Sequence, residues 1–206
     1  MAAPSEKPNG APRFAAIAMI LAGFLVIAAG TLLTLGVRNN PNGSVLASAI
    51  GGAFHLVDQN GKRFSDDDLK GKWHLIFFGY TNCPDECPTA LNELSLALDR
   101  IGKARDRVAI VFITTDPERD TQAVLKSYVE NFDGPITALT GSVEEVAQAA
   151  KAYRVYSAKH LRPDGGYDMD HSAVIYVMDP QGRAAATLSP DATAPAIAER
   201  LQKLLS

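Results

Sequence analysis

The chain contains only two cysteines, Cys83 and Cys87, and they are four residues apart, which is about one turn of an α-helix. Side chains at positions i and i+4 of a helix share a face, so the two sulfurs can come close together. Two neighbouring thiols can exchange electrons as a dithiol and a disulfide, or they can bind a soft metal ion as thiolates. Their spacing leaves both kinds of chemistry open.

Three residues, Pro84, Asp85 and Glu86, separate the cysteines, whereas thioredoxin-type oxidoreductases have two. Pro is favoured at a helix start, so we expect the helix to open at the cysteines, where its N-terminus favours a thiolate. The two acidic residues partly offset that effect. The wider spacing favours a clamp for an ion and still permits a disulfide. A purely structural disulfide is disfavoured because it would close too short a loop to stabilise the fold much.

A metal site needs a third ligand, and the chain has four histidines. His55 and His74 fall in predicted strands and are expected to be structural or surface residues. His160 lies in a basic stretch, from Arg154 to Arg162, that is expected to be a solvated loop, although it could steer an acidic partner. His171 stands just before a buried strand and is the candidate ligand. The neighbouring Asp170 could orient its imidazole or simply be solvated. Met169 is a further soft donor to consider, although packing or exposure is the favoured role for it.

The elements that must position these residues alternate between strands and helices. Trp73 to Phe78 is almost wholly apolar, as in a strand covered on both faces, and Arg107 to Thr114 is a second such strand. Helices are predicted after each, with a hairpin from Ser172 to Leu188 and a closing helix from Thr193 to Leu205. Asn60-Gly61 predicts a hairpin before the first core strand. Residues 153–170 are predicted to be a long irregular loop.

This order predicts an α/β fold, a mixed sheet with helices on both faces, in which a cysteine motif opens the first core helix. That arrangement is thioredoxin-like, with an N-terminal β-hairpin extension. About 155 residues are enough for one domain with its own core, and we assign it to residues 51–206. A net charge of −3 and a mixed surface charge argue against nucleic-acid binding.

The N-terminal part is predicted to anchor this domain to a membrane. Residues 14–37 carry no charge and, as a helix, would be about 36 Å long, enough to cross a bilayer core. Residues 1–13 form a short cytoplasmic tail, and residues 38–50 form a linker. A cleaved signal peptide, ending near Ala47-Ser48-Ala49, is the rival interpretation. Either way the domain would lie outside the cytoplasm, most simply in a bacterial periplasm, which is an oxidising compartment.

Three stretches of the chain resemble the SCO/SenC/PrrC family: Gly71 to Leu91, Thr114 to Thr121, and Asp170 to Pro180. FGYTNCPDECP, at the centre of the first stretch, is highly specific. The resemblance implies a membrane-anchored, thioredoxin-like copper protein that assists the assembly of cytochrome c oxidase. It implies that Cys83, Cys87 and His171 bind one copper ion, Cu(I) or Cu(II).

The function expected from the resemblance is copper delivery, a binding and transfer role without catalytic turnover. The partners would be a periplasmic copper donor and, as recipient, the copper A site of cytochrome c oxidase subunit II. The alternative is a thiol–disulfide oxidoreductase that reduces the recipient's cysteines through Cys83 and Cys87 before metal insertion. A peroxiredoxin-type activity is disfavoured because the usual Thr and Pro before a single peroxidatic cysteine are missing.

Overall fold

The computed structural model describes residues 50–206. The predicted tail and span, and all of the predicted linker except Ile50, lie outside these residues. No helix in residues 50–206 combines the length and the apolar character needed to cross a bilayer.

Nine strands and four α-helices make up this part of the chain. The strands are β1 (His55–Asp58), β2 (Arg63–Ser65), β3 (Trp73–Gly79), β4 (Val108–Thr114), β5 (Ile136–Thr140), β6 (Ser157–Leu161), β7 (Tyr167–His171), β8 (Ile175–Met178) and β9 (Ala184–Leu188). The helices are α1 (Glu86–Arg100), α2 (Gln122–Val129), α3 (Val143–Ala152) and α4 (Ala194–Leu205). Short 3₁₀ helices at Asp66–Leu69 and Gly102–Arg107 complete the list.

Seven strands form one mixed sheet in the order β2-β1-β5-β4-β3-β8-β9. The central strands β3, β4 and β5 are parallel, while β8 pairs with β3 in the antiparallel sense. The β1–β2 hairpin is added at one end, where β1 pairs with β5. This is the predicted thioredoxin-like α/β fold with its N-terminal hairpin.

Both faces of the sheet are buried, as the apolar central strands predict. Leu75 and Phe77 point to one face, where they pack with α1, α2 and α4. Ile76 and Phe78 point to the other face, where they pack with α3. Because side chains alternate along a strand, a continuous apolar run is what a strand between two helical layers requires.

The prediction of an irregular loop at residues 153–170 was wrong, because β6 and β7 form a two-stranded hairpin outside the main sheet. Its strands carry many charged and half-exposed residues, so they lack the apolar pattern of a buried strand. The turn signal was nevertheless present at Pro163-Asp164-Gly165. Gly165 has a φ of +84°, and the Arg162 amide donates to the Gly166 carbonyl over 2.8 Å to close the turn.

Two further boundaries differ from prediction. The first core helix begins at Glu86, not at Cys83, because Cys83 lies in a turn in which its amide donates to the Tyr80 carbonyl. Strand β8 begins at Ile175, not at Ser172, so a short link separates it from β7. Helix α3 is capped by Ser142, whose hydroxyl accepts from the Glu145 amide over 3.1 Å.

Candidate metal centre

The cysteine loop leaves β3 at the carboxyl end of the central strands. Gly79 is the last residue of that strand, and the absence of a side chain there makes room for Cys87. A Cβ at position 79 would lie 2.7 Å from Cys87 Sγ and 2.8 Å from the ring of Phe112. Both neighbours are fully buried, so the strand end must be a glycine for the Cys87 sulfur to sit where it does.

The two thiols are free and differ in exposure. Cys87 is fully buried, whereas Cys83 is half-buried. The Cys87 amide donates to Cys83 Sγ over 3.4 Å, which brings the two residues together without a disulfide. Burial raises the pKa of the Cys87 thiol well above its usual range, so this sulfur is protonated at neutral pH unless a cation replaces the proton.

His171, the last residue of β7, lies beside this pair although it is 84 positions from Cys87 in the sequence. Its Nε2 atom lies 3.9 Å from Cys87 Sγ. Its Nδ1 atom lies 3.2 Å from the carbonyl oxygen of Ser172, an acceptor that calls for a proton on Nδ1. That tautomer leaves the Nε2 lone pair facing the sulfur. The imidazole also packs edge-on against Tyr80, with ring centroids 5.6 Å apart.

The structure therefore brings together the three residues expected to bind metal, with Cys87 touching both of the others. Among residues 50–206, no three side chains of His, Cys, Asp or Glu are close enough to form a complete metal cluster. The donor set still fits a soft ion, since it offers two sulfurs and one imidazole nitrogen. Copper is one such ion.

The other histidines lie elsewhere. His74 is buried, and its Nδ1 atom lies 3.1 Å from the Lys72 carbonyl, in agreement with a structural role. His55 is exposed. Of the two roles considered for Asp170, orienting His171 or being solvated, the structure favours the second. Its exposed carboxylate lies 3.8 Å from Nε2 of His160, and the Ser172 carbonyl takes the orienting role.

Met169, the further soft donor considered above, is half-buried on β7, on the same side of the strand as His171. A cavity of about 490 Å³ is lined by residues such as Val57 and Thr140, and no cysteine or histidine lines it.

The loop from Thr114 to Thr121, which connects β4 to α2, is hydrogen-bonded to the cysteine loop. Asp120 is fully buried and accepts hydrogen bonds from the Thr81 amide at 3.0 Å, the Thr81 hydroxyl at 2.5 Å and the Thr114 hydroxyl at 2.6 Å. Burial raises the pKa of Asp120, and these bonds act in the opposite direction. The carboxylate thus holds the cysteine loop to the end of the neighbouring strand.

The same loop contacts the β6–β7 hairpin. Asp116 forms an ion pair with Arg119 and accepts a hydrogen bond from the Tyr167 hydroxyl over 2.7 Å. Burial and this bond raise the pKa of Tyr167 to about 12. Glu118 forms an ion pair with Lys159 of β6. Sequence reasoning missed these roles, because the stretch looked like a loop and a helix start. The density of Asp, Arg and Thr within eight residues was the available signal.

The domain is thioredoxin-like, and a histidine from a separate hairpin lies beside its cysteine loop. These two features define a class of thiol protein whose cysteines and histidine can together bind a soft metal ion. The SCO1/SenC family model matches residues 43–206, most of the chain. The chain therefore belongs to the SCO1/SenC family, as its motifs predicted.

Individual relatives agree with this assignment. The chain is 42% identical over 150 residues to the mitochondrial protein SCO1 homolog 1 of Arabidopsis thaliana, a match that covers 72% of this chain and 44% of that protein. Across several relatives the chain spans 44–66% of their length.

Solved structures extend the comparison. The structure of Bradyrhizobium japonicum ScoI with copper bound is 48% identical, has a TM-score of 0.70, and covers 75% of this chain and 99% of that one. The structure of BsSco, which has a disulfide switch and belongs to the Sco family of cytochrome c oxidase assembly proteins, is 25% identical. Its TM-score is 0.60, and the match covers 77% of this chain and 95% of that one.

Proposed function

We propose that this chain binds one copper ion through Cys83, Cys87 and His171 and delivers it during the assembly of cytochrome c oxidase. The observation that carries the proposal is the approach of His171 Nε2 to Cys87 Sγ, at 3.9 Å, between residues 84 positions apart. The copper-bound ScoI of Bradyrhizobium japonicum, which has the same fold, supports the choice of metal.

The chemistry of the site suits transfer. Two thiolates and an imidazole form a three-coordinate set for Cu(I), and Cu(II) can take a further axial ligand. The N–H···S bond to Cys83 is compatible with ligation, since a thiolate sulfur has three lone pairs. Because Cys83 and His171 are only half-buried, ligands from a partner can approach the ion and replace them one at a time. The recipient in this proposal is the copper A site of cytochrome c oxidase subunit II, and a periplasmic protein is the donor.

The proposed location follows from the sequence. The domain lies in the periplasm of a bacterium, and residues 14–37 anchor it to the inner membrane as a single span. This arrangement puts the site in the compartment where a periplasmic donor would meet it.

A second candidate function is reduction of a recipient's disulfide by the cysteine pair. It is favoured by the fact that both cysteines are free and adjacent. The full burial of Cys87, which raises the pKa of its thiol, leaves Cys83 as the attacking sulfur.

One experiment separates these functions. The purified, reduced full-length chain is titrated with Cu(I) in competition with a chromophoric chelator, alongside His171→Ala and the matched control His160→Ala. His160 is an exposed histidine on the same hairpin. We expect one copper per chain, a large loss of affinity in His171→Ala, and no change in His160→Ala. Reduction of a model disulfide should survive in His171→Ala. Unchanged copper affinity in that variant would refute the ligand assignment.

A further inference from the structure

The hairpin that carries His171 lies outside the main sheet. Strands β6 and β7 pair with each other and with no strand of the main sheet. At its base, the Ser172 amide donates to the Tyr156 carbonyl over 2.9 Å. Side-chain contacts, and not pairing with the main sheet, must therefore fix how closely His171 approaches the cysteine loop.

One face of the hairpin turns toward the site. Alternate residues of a strand share a face, so Tyr167, Met169 and His171 lie on the same side of β7, and all three are half-buried. Asp168 and Asp170, on the other side, are exposed. A contact that fixes the position of Tyr167 therefore also restricts the position of His171, four residues further along the same strand.

Arg119 contacts Tyr167 on that face through both a hydrogen bond and its guanidinium plane. Its Nη1 atom donates to the Tyr167 carbonyl over 3.1 Å, and its guanidinium carbon lies 3.9 Å from the centroid of the Tyr167 ring. Its Nε atom is paired with Asp116, which also accepts from the Tyr167 hydroxyl. Tyr167 is thus held through its backbone, its ring and its hydroxyl by one Arg–Asp pair.

The guanidinium also faces the cysteine loop. It lies 6.0 Å from the ring centroid of Tyr80, and Tyr80 packs edge-on against His171. Arg119 therefore stands between a side chain of the hairpin and a side chain of the cysteine loop. Its Nη2 atom is buried with no hydrogen-bond partner among residues 50–206.

We infer that Arg119 is a positioning residue that holds the His171 hairpin against the cysteine loop and so sets the reach of the imidazole to the metal. The inference rests on the proposed function, since it assigns Arg119 to the same site. Lysine cannot replace it, because a single ammonium cannot bond the Asp116 carboxylate and the Tyr167 carbonyl in one plane while stacking on the ring.

The test compares full-length Arg119→Ala and Arg119→Lys with wild type, with His171→Ala and with the double variant Arg119→Ala/His171→Ala. The matched control is Arg105→Ala. Arg105 also forms an arginine–aspartate pair, with Asp99, but it lies in the 3₁₀ helix before β4, at the opposite end of that strand from the site. Copper affinity is measured by Cu(I) competition. Amide hydrogen exchange of β6 and β7 is measured on the metal-free chain.

Arg119→Ala and Arg119→Lys should lower copper affinity about 10–100-fold, the usual effect of losing a partner that orients a ligand. Arg105→Ala should leave the affinity unchanged. In the His171→Ala background, Arg119→Ala should cause no further loss, because Arg119 acts through the histidine. Exchange of the β6 and β7 amides should be faster in Arg119→Ala and unchanged in β3 and β4.

Three results would overturn the inference: unchanged copper affinity in Arg119→Ala, a further loss of affinity in the double variant, or unaltered exchange in the hairpin. If wild type takes up no copper, the proposed function fails. The exchange measurement then decides the positioning role alone, since it is made without metal.

Discussion

Gly79→Ala tests whether the site depends on the close approach between the end of β3 and the Cys87 sulfur. A Cβ there would lie 2.7 Å from Cys87 Sγ, about 0.8 Å or more inside the separation of about 3.5–4.0 Å at which non-bonded heavy atoms pack best. The backbone cannot retreat easily, because the Gly79 carbonyl accepts from the Thr115 amide over 2.7 Å. The sulfur and the Phe112 ring must therefore move.

Overpacking of a buried site costs about 1–3 kcal/mol, and we expect Gly79→Ala to reduce the free energy of unfolding by that amount. The required displacement of the sulfur, near 1 Å, exceeds the tolerance of about 0.2 Å for a metal ligand. Copper affinity should therefore fall as well. The assays are urea unfolding of the metal-free chain and Cu(I) competition.

The matched control for this prediction is the Cys87→Ala background, which removes the sulfur that the new methyl group would meet. There, Gly79→Ala should cost less than in wild type, with a coupling of about 0.5–3 kcal/mol, because only the contact with Phe112 remains. Wild-type stability and copper affinity in Gly79→Ala, or equal costs in the two backgrounds, would show that the packing argument is wrong.

Three other predictions concern the rest of the domain. Burial lowers the pKa of His74 from 6.5 to about 4, so the unfolded chain binds more protons between these values. The free energy of unfolding should therefore fall, by up to about 3 kcal/mol, as the pH drops from 6.5 to 4. His74→Gln should lack this component in urea titrations across that range, and parallel curves for the two proteins would contradict the assignment. Asp120→Asn replaces one accepting oxygen by a donor facing Thr81 or Thr114, and should cost about 1–3 kcal/mol in urea unfolding and weaken copper binding. Retained copper affinity would mean that this carboxylate does not shape the cysteine loop. Ser142→Ala removes the cap of α3, which packs on the opposite face of the sheet from α1, and should cost about 1 kcal/mol without changing copper affinity. Any change in copper binding there would point to an effect spread through the whole domain.

The core of the fold was predictable because its signals are local. Strands β3 and β4 are apolar runs that could only lie between two layers, and Ser142 with Glu145 marks a helix start within four residues. The β6–β7 hairpin was missed because its strands are held by tertiary contacts, such as that between Tyr167 and Asp116, and not by their own apolar pattern.

For the candidate site, too, the sequence indicated the reactive residues but not the residues that support them. Cys83, Cys87 and His171 could be singled out as chemically capable residues and by family resemblance, and the structure brings them together. Their role as copper ligands stays a prediction. The supports, Asp120 under the cysteine loop and Arg119 against the hairpin, act between elements distant in sequence, so only the folded structure reveals them.

Because the two thiols are unequally exposed, other molecules can approach the site at Cys83 but not at Cys87. A reagent, an oxidant or an incoming sulfur from another protein meets Cys83 first, because Cys87 is enclosed by Gly79 and Phe112. Any covalent exchange therefore starts at Cys83, and Cys87 completes it from inside. Brief alkylation of the metal-free chain followed by peptide mass spectrometry should find the label on Cys83 well before Cys87, and equal labelling would mean that the inner thiol is as open as the outer one.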